Sequence, residues 1–225
     1  MIIMKANNCV LLLAAVVVVL MVTSCNDGLT HEPVVEVENA LTLDEAEAYF
    51  EQTMMQMPEE IRNIGFNELV PKDLVPEWSE SVSTHYGNIS CLNVPIKSHE
   101  HFQGRYMQGG EERVVTIAQK LVLLKNRDTS EKALFVLALI PCYGYEDAHE
   151  GEDIADLFVQ GGSKNGFSGL ALFIRPETGI VFCVSSFING HRTDIATSSS
   201  DKATKARLTK QASRVKFYRV KSAKD

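Results

Sequence analysis

Nine residues, "ALFVLALIP" (133–141), limit the fold more than any other part of this chain. They are nearly all apolar, with no alternation of polar and apolar positions. A strand of that kind must be covered on both faces, so it belongs in the middle of a sheet and not at its rim. The segments around it supply neighbours. "RVVTIAQKLVLLK" (113–125) is rich in β-branched and aliphatic residues and reaches the nine through the short, turn-like "NRDTSE". Downstream, "FSGLALFI" (167–174) and "IVFCVSSFI" (180–188) flank "RPETG", where Pro176 and Gly179 stand in hairpin-turn places. Upstream, "NISCLNVPI" (88–96) alternates, and Pro95 marks an edge strand or a bulge. "VKFYRV" (215–220) can add a last edge strand.

One helix precedes the strands. In "LTLDEAEAYFEQTMMQM", Thr42 and Glu45 fit a capping box, and Asp44, Glu45 and Glu47 put negative charge where the helix dipole favours it. Leu43, Ala46, Phe50, Met54 and Met57 form one apolar stripe, and Pro58 closes it. A helix followed by a run of neighbouring strands predicts an α+β domain: an N-terminal helix packed on an antiparallel β-meander of about five strands. Hydrophobic content of 45% and charged content of 23% suit a globular chain. No internal repeat is visible. The stretch between helix and strands, with Pro71, Pro76 and the lone Trp78, reads as irregular.

The first 24 residues have a separate purpose. A short polar opening with Lys5 leads into fourteen uncharged residues, Cys9 to Val22, and then Thr23, Ser24 and Cys25. Fourteen is short of the about 20 apolar residues a spanning helix needs, and normal for the core of a signal peptide. An ordinary secretory peptide and a retained membrane anchor are the other readings of the segment. "VTSC" (22–25) resembles the lipobox of bacterial lipoproteins. The resemblance implies cleavage between Ser24 and Cys25, a diacylglycerol on the Cys25 thiol, and acylation of the new amino terminus. Two or more acyl chains are what stable anchoring takes. The chain then divides into a signal peptide (1–24), a tether (25–40), a globular domain (41–191) and a basic tail (192–225). The tail carries ten Lys/Arg against three Asp/Glu, while residues 25–191 carry eleven against 26. Such a tail can bind anionic lipid or polymer, fold onto the body, or stay solvated.

Across 133–191 the order "ALFVLALIP", a tyrosine-containing loop, "FSGLALF", a tight turn, "GIVFCVSSF" and "NGH", with upstream "PEWSES" and "NVPI", resembles a group of uncharacterised lipoproteins from Bacteroides-type gut bacteria. The likeness spans roughly residues 40–191. "KATKARLTKQASRVKFYRVKSAKD" departs from it, and it brings no catalytic residues.

Candidate chemistry is sparse. His99 and His101 in "SHEH" are the metal candidates, but zinc needs three or four ligands, and solvated loop histidines are the better reading. "EDAHEGED" (146–153) gathers five carboxylates around His149 without the calcium-loop spacing of an EF-hand. With Cys25 lipidated, Cys91, Cys142 and Cys183 remain. Three cannot all pair within one molecule, so at least one is free. Cys91 and Cys183 sit in apolar strands as core fillers, and Cys142 is the least buried. No phosphate-binding loop or nucleophile-elbow motif is present, so no cofactor is expected, and nucleic acid is not an expected partner. These features predict a lipid-anchored protein of the cell envelope, in the outer membrane, with a binding or interaction role. Its expected partners are the membrane, through Cys25, and an envelope or extracellular molecule. The alternative is an envelope hydrolase whose site is framed by the loop 143–166.

Overall fold

The computed structural model describes residues 38–55, 69–108, 110–161, 166–177, 179–197, 202–203 and 215–221. Ser24, Cys25, the signal segment and most of the tether lie outside the described residues. In chain order the elements are α1 (Leu43–Met55), β1 (Val75–Pro76), β2 (Val82–Tyr86), β3 (Ile89–Lys97), β4 (Glu100–Gln108), β5 (Glu111–Asn126), β6 (Lys132–Pro141), α2 (Tyr143–Ala148), α3 (Ile154–Gly161), β7 (Gly169–Ile174), β8 (Val181–Ile188), β9 (His191–Thr197) and β10 (Lys216–Lys221). Among them no helix is long and apolar enough to cross a membrane.

All strand pairs are antiparallel, and one sheet runs β1–β3–β5–β6–β7–β8–β9, with β2 on β3, β4 on β5, and β10 on β4. β6 is central, between β5 and β7, and its residues alternate between two cores. Ala133, Phe135, Leu137 and Leu139 join the cluster on one face, while Leu134, Val136, Ala138 and Ile140 join the cluster on the other. That division explains the unbroken apolar run. The first cluster is completed by Tyr145, Ile154, Ala155 and Phe167; the second by Leu41, Ala46, Leu69 and Phe102.

The expectation of an α+β domain with about five strands needs correction. The fold is β-rich, an antiparallel sheet of ten strands with few helices. The additional strands are short, polar or at edges, where one face and one side meet water and the apolar pattern fades. β2 arises in the stretch read as irregular, and β4 in a stretch interrupted by Gly104. Two segments of the expected basic tail are strands: β9 on β8, and β10 on β4. Helix α1 meets the sheet through specific contacts. Tyr49 donates its hydroxyl to the Lys132 carbonyl at 3.1 Å, and Glu45 bridges Lys125 (2.9 Å) and Lys132 (2.6 Å). Pro95 does not mark an edge strand. It opposes Lys120 of β5, and its carbonyl accepts from Glu77 where the flanking strand changes from β2 to β1.

The geometry that matters for function is a mismatch in length. β5 has 16 residues and β6 has ten. The ladder between them stops at the Ala118–Leu139 pair, so residues 111–117 of β5 project past β6. There they pair only with β4, which in turn carries β10, making a three-stranded wing.

Candidate functional site

The projecting half of β5 leaves backbone donors on the side where β6 has ended. A buried or half-buried amide of that kind needs a partner. The chain supplies one as it leaves β6: it turns at Cys142, whose N–H donates to Ser168 O at 2.8 Å, and enters α2. Glu146 of α2 then accepts from the Thr116 N–H at 2.7 Å. A carboxylate thus closes the open strand edge.

The turn that follows is held from below. Tyr145 stacks on His149, with ring centroids 4.1 Å apart, and meets Phe167 edge-on at 5.2 Å. His149 Nδ1 lies 2.8 Å from Tyr145 O. Asp153 caps α3 by accepting from the N–H groups of Ala155 (2.8 Å) and Asp156 (3.0 Å), an ordinary use of aspartate at a helix start. Ile154 and Ala155 then enter the core.

Between this turn and the wing lies a cleft of about 850 Å³, inside the roughly 300–1,000 Å³ range of small-molecule sites. Its floor is the sheet face of His101, Val114, Thr116 and Ala118. Its wall is the acidic segment Glu146, Asp147, Glu150, Glu152 and Asp153. None of those five carboxylates is ion-paired among the described residues. No lysine or arginine lines the cleft among the described residues.

One cation stands behind the wall. Lys120 is buried, bonded to Asp156 of α3, and desolvation pulls its pKa down against the opposing field of Asp153. The pair is lopsided, because the Lys120 side chain is 3% exposed and that of Asp156 is 44% exposed. Asp156→Ala leaves a buried charge alone and is expected to cost about 2–3 kcal/mol, whereas Lys120→Met leaves only a solvated carboxylate and should stay within about 1 kcal/mol of the parent. Urea unfolding of both variants measures the asymmetry; equal losses would mean that Asp156 carries no special role.

The sequence-predicted residues separate here. His101 reaches the cleft on β4, while His99 turns away to Asp73, with Nδ1 2.9 Å from Oδ2. Among the described residues no three His, Cys, Asp or Glu side chains gather as a metal site would need. Cys91, Cys142 and Cys183 are free thiols, Cys142 exposed and the others buried. Burial pushes the Cys91 thiol up to about 12 and the Cys183 thiol up to about 11, so neither is a ready nucleophile. The loop 143–166, expected to frame a site, does supply the acidic wall, and residues 143–148 and 154–161 of it are helical.

Asp73 was not singled out by sequence, although it fixes the corner between β3 and β4. It accepts from the Ser98 hydroxyl and from the His99 N–H, and these bonds, with that of the His99 ring, hold its carboxyl well below the usual 3.8. A depressed carboxylate stabilises the fold above the unfolded-state pKa and loses that contribution as pH falls through the folded one. The gap in melting temperature between the parent and Asp73→Asn is therefore expected to be constant near neutrality and to shrink below about pH 4. A gap independent of pH would show that the carboxylate's charge is not involved.

Comparison with family models, with curated proteins and with solved structures finds no match for this chain.

Proposed function

We propose that this is a lipid-anchored protein of the cell envelope, held in the outer membrane by acylated Cys25, whose domain binds a partner molecule in the cleft between β5 and the α2–α3 turn. The observation that carries the binding role is the cleft itself: a concave, mixed apolar and acidic surface built where β5 outruns β6. Binding is favoured over hydrolysis by the state of the serine there. The Ser98 hydroxyl donates to Asp73 and accepts from the Glu100 N–H at 2.8 Å, as a turn cap does, and Asp73, held well below the usual carboxylate range, is too weak a base to activate it. Helix α1 belongs to the same reading as the layer that joins the tether to the sheet, supported by the Glu45 ion pairs with Lys125 and Lys132.

Two measurements test the two halves. Intact-mass spectrometry of protein purified from membranes should give a chain beginning at residue 25 plus acyl chains, and Cys25→Ala should abolish the modification. For the cleft, a photo-cross-linking residue at Thr116 should label a defined envelope component that the same residue at Leu43, on α1, does not label. Identical labelling at both positions would remove the cleft from the proposal.

A further inference from the structure

Among the described residues the wing is covered on one face only. Phe102, Val115, Ile117, Val215 and Phe217 pack into the second core. The strand registers put the alternate residues on the other face in cross-strand rows: Val220 with His101, Tyr218 with Gln103 and Thr116, Lys216 with Arg105 and Val114. The Arg105 guanidinium lies 4.5 Å from the centre of the Tyr218 ring, which confirms that the two share a face. Apolar groups stand open along it: Met107 is 68% exposed, Val114 43%, Tyr218 and Val220 38% each. An open apolar sheet face with flat cross-strand rows is a docking surface for extended chain.

This shelf does not end at the cleft; it forms its floor. His101, Val114 and Thr116 belong to both. A ligand lying on the shelf therefore meets, along one side, the wall's carboxylates, which no Lys or Arg neutralises among the described residues. Behind that wall the Tyr145 hydroxyl is buried with no hydrogen-bond partner among the described residues.

We infer that the shelf and wall together bind an extended basic peptide segment of a partner protein, with aliphatic side chains on Val114, Tyr218 and Val220 and alternate lysine or arginine side chains against Glu146, Asp147, Glu150 and Glu152. This deepens the cleft-binding reading and rests on it. Charge complementarity selects the occupant: the wall offers five carboxylates within residues 146–153 and no lysine or arginine, which outweighs Lys216 and the Glu112-bound Arg105 on the shelf, so the wall side favours cationic over anionic groups. Period-two spacing in an extended peptide puts its apolar and cationic groups on opposite sides, as the shelf and wall require.

The test uses the full-length protein in a zwitterionic detergent and a fluorescein-labelled Lys-Val-Lys-Val-Lys-Val peptide, followed by anisotropy. Saturable, salt-weakened binding is expected. Val114→Lys should weaken it about tenfold, by adding a like charge to the shelf. The double variant Glu150→Gln, Glu152→Gln should weaken it about fivefold, and Glu51→Gln on α1 should leave it unchanged. Val114, Glu150 and Glu152 are all exposed, and unchanged melting temperatures exclude unfolding as the cause. A Glu-Val peptide should not bind. No saturable binding, binding indifferent to Val114→Lys, or competition by spermine matching that of unlabelled peptide would each overturn the inference. If the peptide fails while cross-linking at Thr116 still labels a specific component, only the ligand class falls; if both fail, the cleft-binding reading falls with it.

Discussion

Replacing Gly169 by alanine is expected to remove more than about 3 kcal/mol of stability, enough to leave much of the chain unfolded under mild conditions. Gly169 opens β7 and is paired on both sides, with Pro141 of β6 and Phe187 of β8. Its φ of +154° lies in a region that side chains rarely adopt, and an added Cβ would stand 2.2 Å from the Ile140 carbonyl oxygen and 2.9 Å from the Pro141 Cα. Those are backbone atoms in the middle of the sheet, so relief requires opening a ladder and not a rotamer change. Gly144→Ala is the matched control. Gly144 lies in α2 with nothing within 4 Å of an added Cβ, so this change should be neutral or stabilising by about 0.5–1 kcal/mol. Denaturant midpoints of the two variants decide the matter. A Gly169→Ala protein as stable as the parent would mean that the β6–β7 ladder can shift at little cost.

The same position illustrates what a sequence can disclose about this fold. Within "FSGLALFI" the strand was legible because its apolar residues are buried on both faces, as in β6. Nothing in the letters says that its glycine is there to admit the Ile140 carbonyl, since that approach exists only once β6 and β7 are paired. β4 was missed for a related reason. Gly104 breaks its pattern, yet an added Cβ there would lie 2.7 Å from Val215 Cγ1, so the glycine makes room for the chain that leads into β10. β9, "HRTDIAT", is half polar because it ends the path of paired strands, and edge strands need bury only one side.

The candidate site was legible in halves. The acidic turn could be named from residues 146–153, whereas its facing surface could not. The cleft is produced by β5 running beyond β6, and strand overhang is set by long-range pairing. Exposure of Val114 and Thr116 follows from that overhang and not from their own chemistry. His99 and His101 looked equivalent in "SHEH" because the corner made by Asp73, which separates them, is 26 residues away from His99 in sequence.

Phe167→Ala is expected to cost about 3–5 kcal/mol, the usual range for removing a fully buried aromatic ring, and to act on the cleft as well. Phe167 is wholly buried and meets three rings edge-on: Tyr145 of α2 at 5.2 Å, Phe158 of α3 at 5.1 Å and Phe187 of β8 at 5.8 Å. It is thus a contact shared by both helices that flank the acidic wall, beside the direct meeting of Phe158 with Phe187 at 5.3 Å. Phe135→Ala is the comparison. Phe135 is equally buried, but its ring partners are Phe173 and Phe182, away from the wall. Both variants should lose similar global stability. Only Phe167→Ala should speed native-state amide exchange across residues 143–161, because local opening free energies follow the contacts that a segment makes. If exchange there is unchanged, the remaining contacts, Ile154 and Ala155 in the core, Glu146 on the Thr116 N–H, Asp156 on Lys120 and Phe158 on Phe187, hold the wall to the sheet without Phe167. If both variants speed it alike, the wall opens only with the whole domain, and the cleft is as rigid as the core beneath it.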